Sequence, residues 1–164
     1  LDVDEIFQRA NASLSENNKE CYFVTVWMGI IDLETGIVSY CNAGHNQPAI
    51  KTNNQTKLME TGQDIVLGIT PKAKYVKQEL HLTEGDMIYL YTDGVTEARD
   101  VNQEMFKEER LINTLDSVVN APEIICENIV HAIDEFSSKA DQFDDITMLA
   151  IKYKKSNLYS KGEQ

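Results

Sequence analysis

Cysteine, basic residues and long apolar runs are all scarce in this chain, and each shortage excludes a class of protein. Three cysteines, Cys21, Cys41 and Cys126, are odd in number and widely scattered. That pattern excludes a disulfide framework and every paired zinc-ligand spacing. Cys41 and Cys126 lie in apolar patterns and read as small core residues. Lys and Arg number 15 against 27 Asp and Glu, giving a formal net charge of −12. Such an excess repels phosphate-rich partners, so neither a nucleic acid nor an anionic membrane surface is expected. Most of the acids read as a solvated surface, although the balance also suits a basic protein partner or a cation site. The longest apolar run, residues 22–31, is ten residues, against the roughly 20 that span a bilayer. No membrane segment and no signal-peptide pattern are read within this chain. A reducing, cytoplasmic setting is expected. The chain also has no Ser-His-Asp elbow, Walker-type glycine loop or Cys-His couple.

What is present is a full core. Apolar residues make up 42% of the 164 positions, interrupted by three prolines and eight glycines. One domain over residues 1–154 is expected, followed by a polar tail over 155–164. Val3, Ile6, Phe7, Ala10 and Leu14 recur at helical spacing over residues 2–14. Residues 22–31 read as a buried strand, 32–36 as a turn and 37–43 as its antiparallel return. Residues 44–48 break the chain, 49–52 resume a strand, and 53–55 form a turn. Residues 61–74 look irregular. Strands are expected over 75–82, 87–92 and 146–153, and helices over 104–119 and from Pro122, which suits a first helical turn. Helix, antiparallel strands, two helices and a last strand define an α+β chain.

The segment Met87-Ile88-Tyr89-Leu90-Tyr91-Thr92-Asp93-Gly94 runs an apolar strand directly into a carboxylate and a glycine. Asp144-Asp145 stands immediately before the apolar run 146–153. If those strands are neighbours, their acids converge, and convergent carboxylates bind hard cations such as Mg²⁺ or Mn²⁺. Each acid also has an ordinary reading, since Asp-Gly is a common turn and Asp at a loop can cap or solvate. Two adjacent like charges at 144 and 145 cost energy unless a cation or solvent offsets it. His45, in Asn42-Ala43-Gly44-His45-Asn46, is read either as a general acid or phosphate ligand or as a group that orders its loop. His81 and His131 read as structural or surface residues.

Six segments in series carry a family resemblance. They are Phe23-Val24-Thr25-Val26, Asn42-Ala43-Gly44-His45, Gly85-Asp86, Tyr91-Thr92-Asp93-Gly94-Val95-Thr96-Glu97-Ala98, Phe106-Lys107-Glu108-Glu109-Arg110-Leu111 and Asp144-Asp145-Ile146-Thr147. Together they resemble the SpoIIE-type branch of the metal-dependent (PPM) serine/threonine protein phosphatases, over nearly the whole chain. The resemblance implies a sandwich of two antiparallel sheets flanked by helices. It implies two Mn²⁺ or Mg²⁺ ions that activate water against phosphoserine or phosphothreonine. It implies a phosphoprotein substrate such as an anti-sigma-factor antagonist, in bacterial partner-switching or stress signalling. By the same resemblance Asp93 and Asp144 fall on metal-ligand positions, Asp145 falls beside one, and Gly94 allows close backbone approach.

The family opens with strands that carry a Gly-Gly-Asp motif, whose acid bridges the two ions. No Gly-Gly-Asp occurs here. The resemblance therefore implies a domain without its first strands and bridging ligand, weakly active or inactive as it stands. Uncovered sheet edges would favour a homodimer. The alternative from another class is a non-catalytic interaction module that binds a signalling partner without hydrolysis.

Overall fold

The computed structural model describes residues 1–53, 55–60, 62, 64–138 and 140–155. Asn54 of the expected 53–55 turn, and the expected tail beyond Lys155, lie outside the described residues. The chain divides into two compact units, each discontinuous in sequence.

The first unit holds residues 1–45 and 61–84 together with the chain from Tyr153. Helix α1 (Val3–Ser15) packs beside an antiparallel three-stranded sheet made by β1 (Val26–Ile31), β2 (Ile37–Ala43) and β5 (Gln78–His81), in the order β1-β2-β5. β1 and β2 form the expected hairpin, Val26 opposite Ala43. Asp32 accepts from the backbone N–H groups of Glu34 and Thr35, closing their turn, and these bonds hold its carboxyl below the usual range. Val3, Phe7, Cys41, Ala43, Leu67 and Tyr75 form the core of this unit. Burial, reinforced by Asp4 and Asp64, pushes the Cys41 thiol up to about 11, so it stays protonated and inert at neutral pH.

Two sequence expectations are corrected here. The strand expected at 22–31 starts only at Val26 and is half-buried, because β1 is an edge strand with a partner on one side. Tyr22, Phe23 and Val24 are exposed. On α1, Leu14 is exposed while Asn11 is fully buried. Asn11 Nδ2 donates to Thr70 O at 2.8 Å, and its Oδ1 accepts from Gly68 N at 2.9 Å. The amide thus ties the helix to an irregular loop whose backbone groups have no ladder to join.

The second unit holds residues 46–60 and 85–152. Its antiparallel sheet has β3 (Ala49–Thr52), β4 (Gln55–Leu58), β6 (Met87–Tyr91) and β7 (Met148–Lys152), in the order β4-β3-β6-β7. β6 is nearly all buried, as its unbroken apolar run requires of an inner strand, whereas edge strand β7 alternates half-buried and exposed residues. The helices are α2 (Asp93–Thr96), α3 (Lys107–Ser117) and α4 (Pro122–Ser137), the last starting on its proline. Leu111 and Leu115 of α3 and Ile125, Ile129 and Ile133 of α4 bury against Met87, Tyr89 and Tyr91. β4 and α2 were not foreseen. β4 is short and polar, and α2 is a single turn. Helix α3 starts later than residue 104 because Met105 bridges to Arg99 and Phe106 N donates to Ala98 O.

Lys51, Met87 and Lys152 lie side by side on β3, β6 and β7. Lys51, 1% exposed, donates from Nζ to Leu115 O and to Val118 O, and Lys152 Nζ donates to Asn120 O at 2.7 Å. Both amines therefore satisfy carbonyls at the end of α3 and in its link to α4, where no intrahelical partner exists. Burial holds the Lys51 amine below its ordinary pKa, and Asp116 opposes that shift. Lys51→Met keeps the stem and removes the donor. It is expected to cost about 2–4 kcal/mol in urea denaturation, since a charged donor to two buried carbonyls is lost. A change below about 0.5 kcal/mol would mean that water replaces the amine.

Candidate active site

The candidate acids Asp93, Asp144 and Asp145 lie within the second unit, where β6 and β7 end side by side. The last register pair is Tyr91 with Met148. Beyond it Thr92 N donates to Thr147 O at 3.1 Å. The Thr92 hydroxyl then does two things: it donates to Asp145 O at 3.0 Å and accepts from Thr147 N at 3.0 Å. One residue further on, Asp93 opens the single turn α2. The turn is held by Glu97 N and the Thr96 hydroxyl, both donating to Asp93 O.

Gly94 is buried against the opposite segment. A Cβ there would stand 2.9 Å from the Asp145 carbonyl carbon, with the carbonyl oxygen closer still. No side chain fits, so the Asp93 turn and the Asp144-Asp145 segment touch through backbone. Here the glycine is required for approach and not for its φ.

Asp93, Asp144 and Asp145 are all exposed. Asp144 Oδ1 accepts from Asp145 N at 2.7 Å, and Gln142 Nε2 donates to Asp144 O at 2.8 Å. Both sequence-singled acids, together with Asp145 and Gly94, are thus brought to one strand end by residues 92–94 and 144–147. Thr92 was missed. Its signal was available: Thr92 closes one apolar strand and Thr147 precedes the other, at mirrored positions beside the acids.

His45 lies in the first unit. Its backbone is bracketed by Asn42, which accepts from His45 N at 2.8 Å and donates to His45 O at 2.9 Å. Its Nδ1 is 3.2 Å from the Thr25 hydroxyl. These bonds match the loop-ordering reading. His81 Nε2 lies 2.9 Å from Thr35 O, and His131 is an exposed partner of Glu135.

Among the described residues, no group of three or more His, Cys, Asp or Glu is placed to hold a metal ion. Asp93 and Asp144 nonetheless offer hard oxygen donors of the kind Mg²⁺ and Mn²⁺ take, at a point where backbone contact fixes their segments.

Two antiparallel sheets with flanking helices match the PP2C-type phosphatase fold. The chain superimposes on the PP2C domain of SiaA from Pseudomonas aeruginosa with a TM-score of 0.78, at 17% identity, covering 93% of this chain and 60% of that one. It superimposes on the manganese-presoaked phosphatase domain of SpoIIE from Bacillus subtilis with a TM-score of 0.67, at 17% identity, covering 93% and 67%. RsbX in complex with magnesium gives 0.62, at 16% identity, covering 92% and 64%. In sequence the chain is 34% identical over 140 residues to protein IcfG of Synechocystis sp., covering 84% of this chain and 22% of IcfG. It is 22% identical over 151 residues to phosphoserine phosphatase RsbU of Bacillus subtilis, covering 92% of this chain and 45% of RsbU. The chain thus spans less than half the length of either relative. The model of the family Stage II sporulation protein E (SpoIIE) matches residues 1–154, and the chain belongs to that family.

Gly94→Ala tests the backbone contact. It is expected to cost about 1–3 kcal/mol of stability by overpacking. It is also expected to weaken Mn²⁺ binding at least about tenfold, because the two acid-bearing segments are forced apart. Urea denaturation and calorimetric Mn²⁺ titration read the two effects. A variant unchanged in both would show that the contact carries no weight.

Proposed function

We propose that the chain is the phosphatase portion of a metal-dependent phosphoserine/phosphothreonine protein phosphatase. The observation that carries this reading is the backbone-locked meeting of the Asp93 and Asp144 segments in a member of the SpoIIE family. Asp93 and Asp144 would hold the divalent ion, Mn²⁺ or Mg²⁺. When bound, such an ion supplies charge for the phosphoryl oxygens and lowers the pKa of water. Thr92 keeps the two segments in register, Gly94 lets them touch, and Asp145 N–H orients one oxygen of Asp144, leaving the other to face a ligand. The exposure of all three acids leaves room for a phosphorylated side chain on a protein surface. The leaving serine oxygen takes its proton from water or from an acid that no described residue identifies.

The substrate class is a phosphoprotein, in keeping with a relative named as a phosphoserine phosphatase, and the sequence resemblance points to an anti-sigma-factor antagonist within that class. The setting is the cytoplasm, as suits a partner-switching phosphatase. The absence of a three-acid cluster among the described residues favours a second reading, a non-catalytic module that binds such an antagonist without hydrolysing it.

Hydrolysis of p-nitrophenyl phosphate and of a phosphoserine protein, with millimolar Mn²⁺, separates the two. Slow turnover is expected, falling on the order of a hundredfold in Asp93→Asn and in Asp144→Asn. Turnover indifferent to both substitutions would overturn the site. Tight antagonist binding with no turnover at any Mn²⁺ concentration would select the interaction module.

A further inference from the structure

We propose that Arg99 is a positioning residue for Asp144, gripping the loop that carries it through the face of Phe143. This inference rests on the reading of Asp93 and Asp144 as the cation-holding pair.

Arg99 follows α2 on a backbone that is fixed on several sides. It forms an antiparallel bridge with Met105, Phe106 N donates to Ala98 O at 2.9 Å, and Asp100 N donates to Glu104 O at 3.0 Å. From this base the guanidinium carbon lies 4.3 Å from the centroid of the Phe143 ring, well inside cation–π range. One guanidinium nitrogen donates to Gln103 Oε1 at 3.2 Å, which sets the plane of the group. Nε is buried with no hydrogen-bond partner among protein atoms. Arg99 also lines a small cavity of about 80 Å³ with Gly94, Asp134, Asp141 and Gln142, large enough for water to reach it. The guanidinium is half-buried, and its stack on the Phe143 ring is the contact that ties it to the loop.

Phe143 is 58% exposed and directly precedes Asp144. The bonds that Gln142 and Asp145 make to Asp144 lie within the loop and do not anchor it elsewhere. On the C-terminal side the loop is anchored by Thr92 at 145 and 147, by Gly94 against Asp145 and by Ile146 on the core; on the N-terminal side Arg99 grips it at 143. Asp144 is thus held from both sides by residues that flank Asp93 in sequence. The segment 92–99 carries one acid and sets the place of the other. The flat guanidinium suits this task, since a lysine ammonium cannot stack as a plane.

The test uses the full chain with Arg99→Leu, Phe143→Leu, the double variant and Phe143→Tyr. Amide exchange over residues 140–147 is measured without metal, and Mn²⁺ affinity is measured by calorimetry. Arg99→Leu and Phe143→Leu are each expected to speed loop exchange and to weaken Mn²⁺ binding, on the order of threefold to tenfold. The double variant should be no worse than the worse single, and Phe143→Tyr should behave as the parent chain. Additive effects, or unchanged exchange and affinity in Arg99→Leu while Asp93→Asn still abolishes Mn²⁺ binding, would overturn the role of Arg99 alone. Mn²⁺ binding that survives Asp93→Asn would overturn the cation-pair reading instead, and the metal-free exchange rates would still decide whether Arg99 grips the loop.

Discussion

The hydroxyl of Thr92 is the contact on which the arrangement around the acids depends. A strand pair normally frays past its last register residue, because the ladder has run out of partners. Here a single side chain extends the β6–β7 ladder by one rung on each strand, donating to Asp145 O and accepting from Thr147 N. A hydroxyl can do both at once, and an alkyl group of the same shape can do neither. The backbone segments that carry three exposed aspartates are thereby held side by side, in a chain whose charge is already −12.

The same economy appears where helices and loops meet the sheets. Asn11 joins α1 to the backbone at Gly68 and Thr70. Asn120 donates to Gly85 O at 2.7 Å, next to the carbonyl that Lys152 reaches. In each case a long or amide-bearing side chain serves main-chain groups that no regular ladder can pair. These side chains turn toward irregular backbone, and burying that backbone unpaired would cost more than ordering the side chain.

Much of this was legible in the sequence because it is written in period and punctuation. The hairpin turning at residues 32–36, the Pro122 start of α4 and the strand leading to Asp93 all follow from spacing and from single special residues. So does the suspicion attached to Asp93 and Asp144, each of which abuts an apolar strand. What stayed hidden was pairwise. Nothing local marks Asn11 as inward-facing, since its partners stand 57 and 59 positions away. β4 could not be seen because Gln55, Thr56 and Lys57 are polar, and the strand exists by pairing with β3. The early start expected for α3 failed because helical periodicity extends over residues that tertiary bridging pulls into a turn. Arg99 and Phe143 meet across 44 positions, and no pattern in either neighbourhood announces it.

The row Lys51, Met87, Lys152 has a consequence for how this part of the chain can vary. The two amines reach carbonyl oxygens of Leu115, Val118 and Asn120, which every amino acid supplies alike. The path between α3 and α4 is therefore specified from the sheet and not from the connection itself. Homologous chains that keep the two lysines are free to rewrite the side chains of that connection, and drift there should be fast where drift in the row is slow.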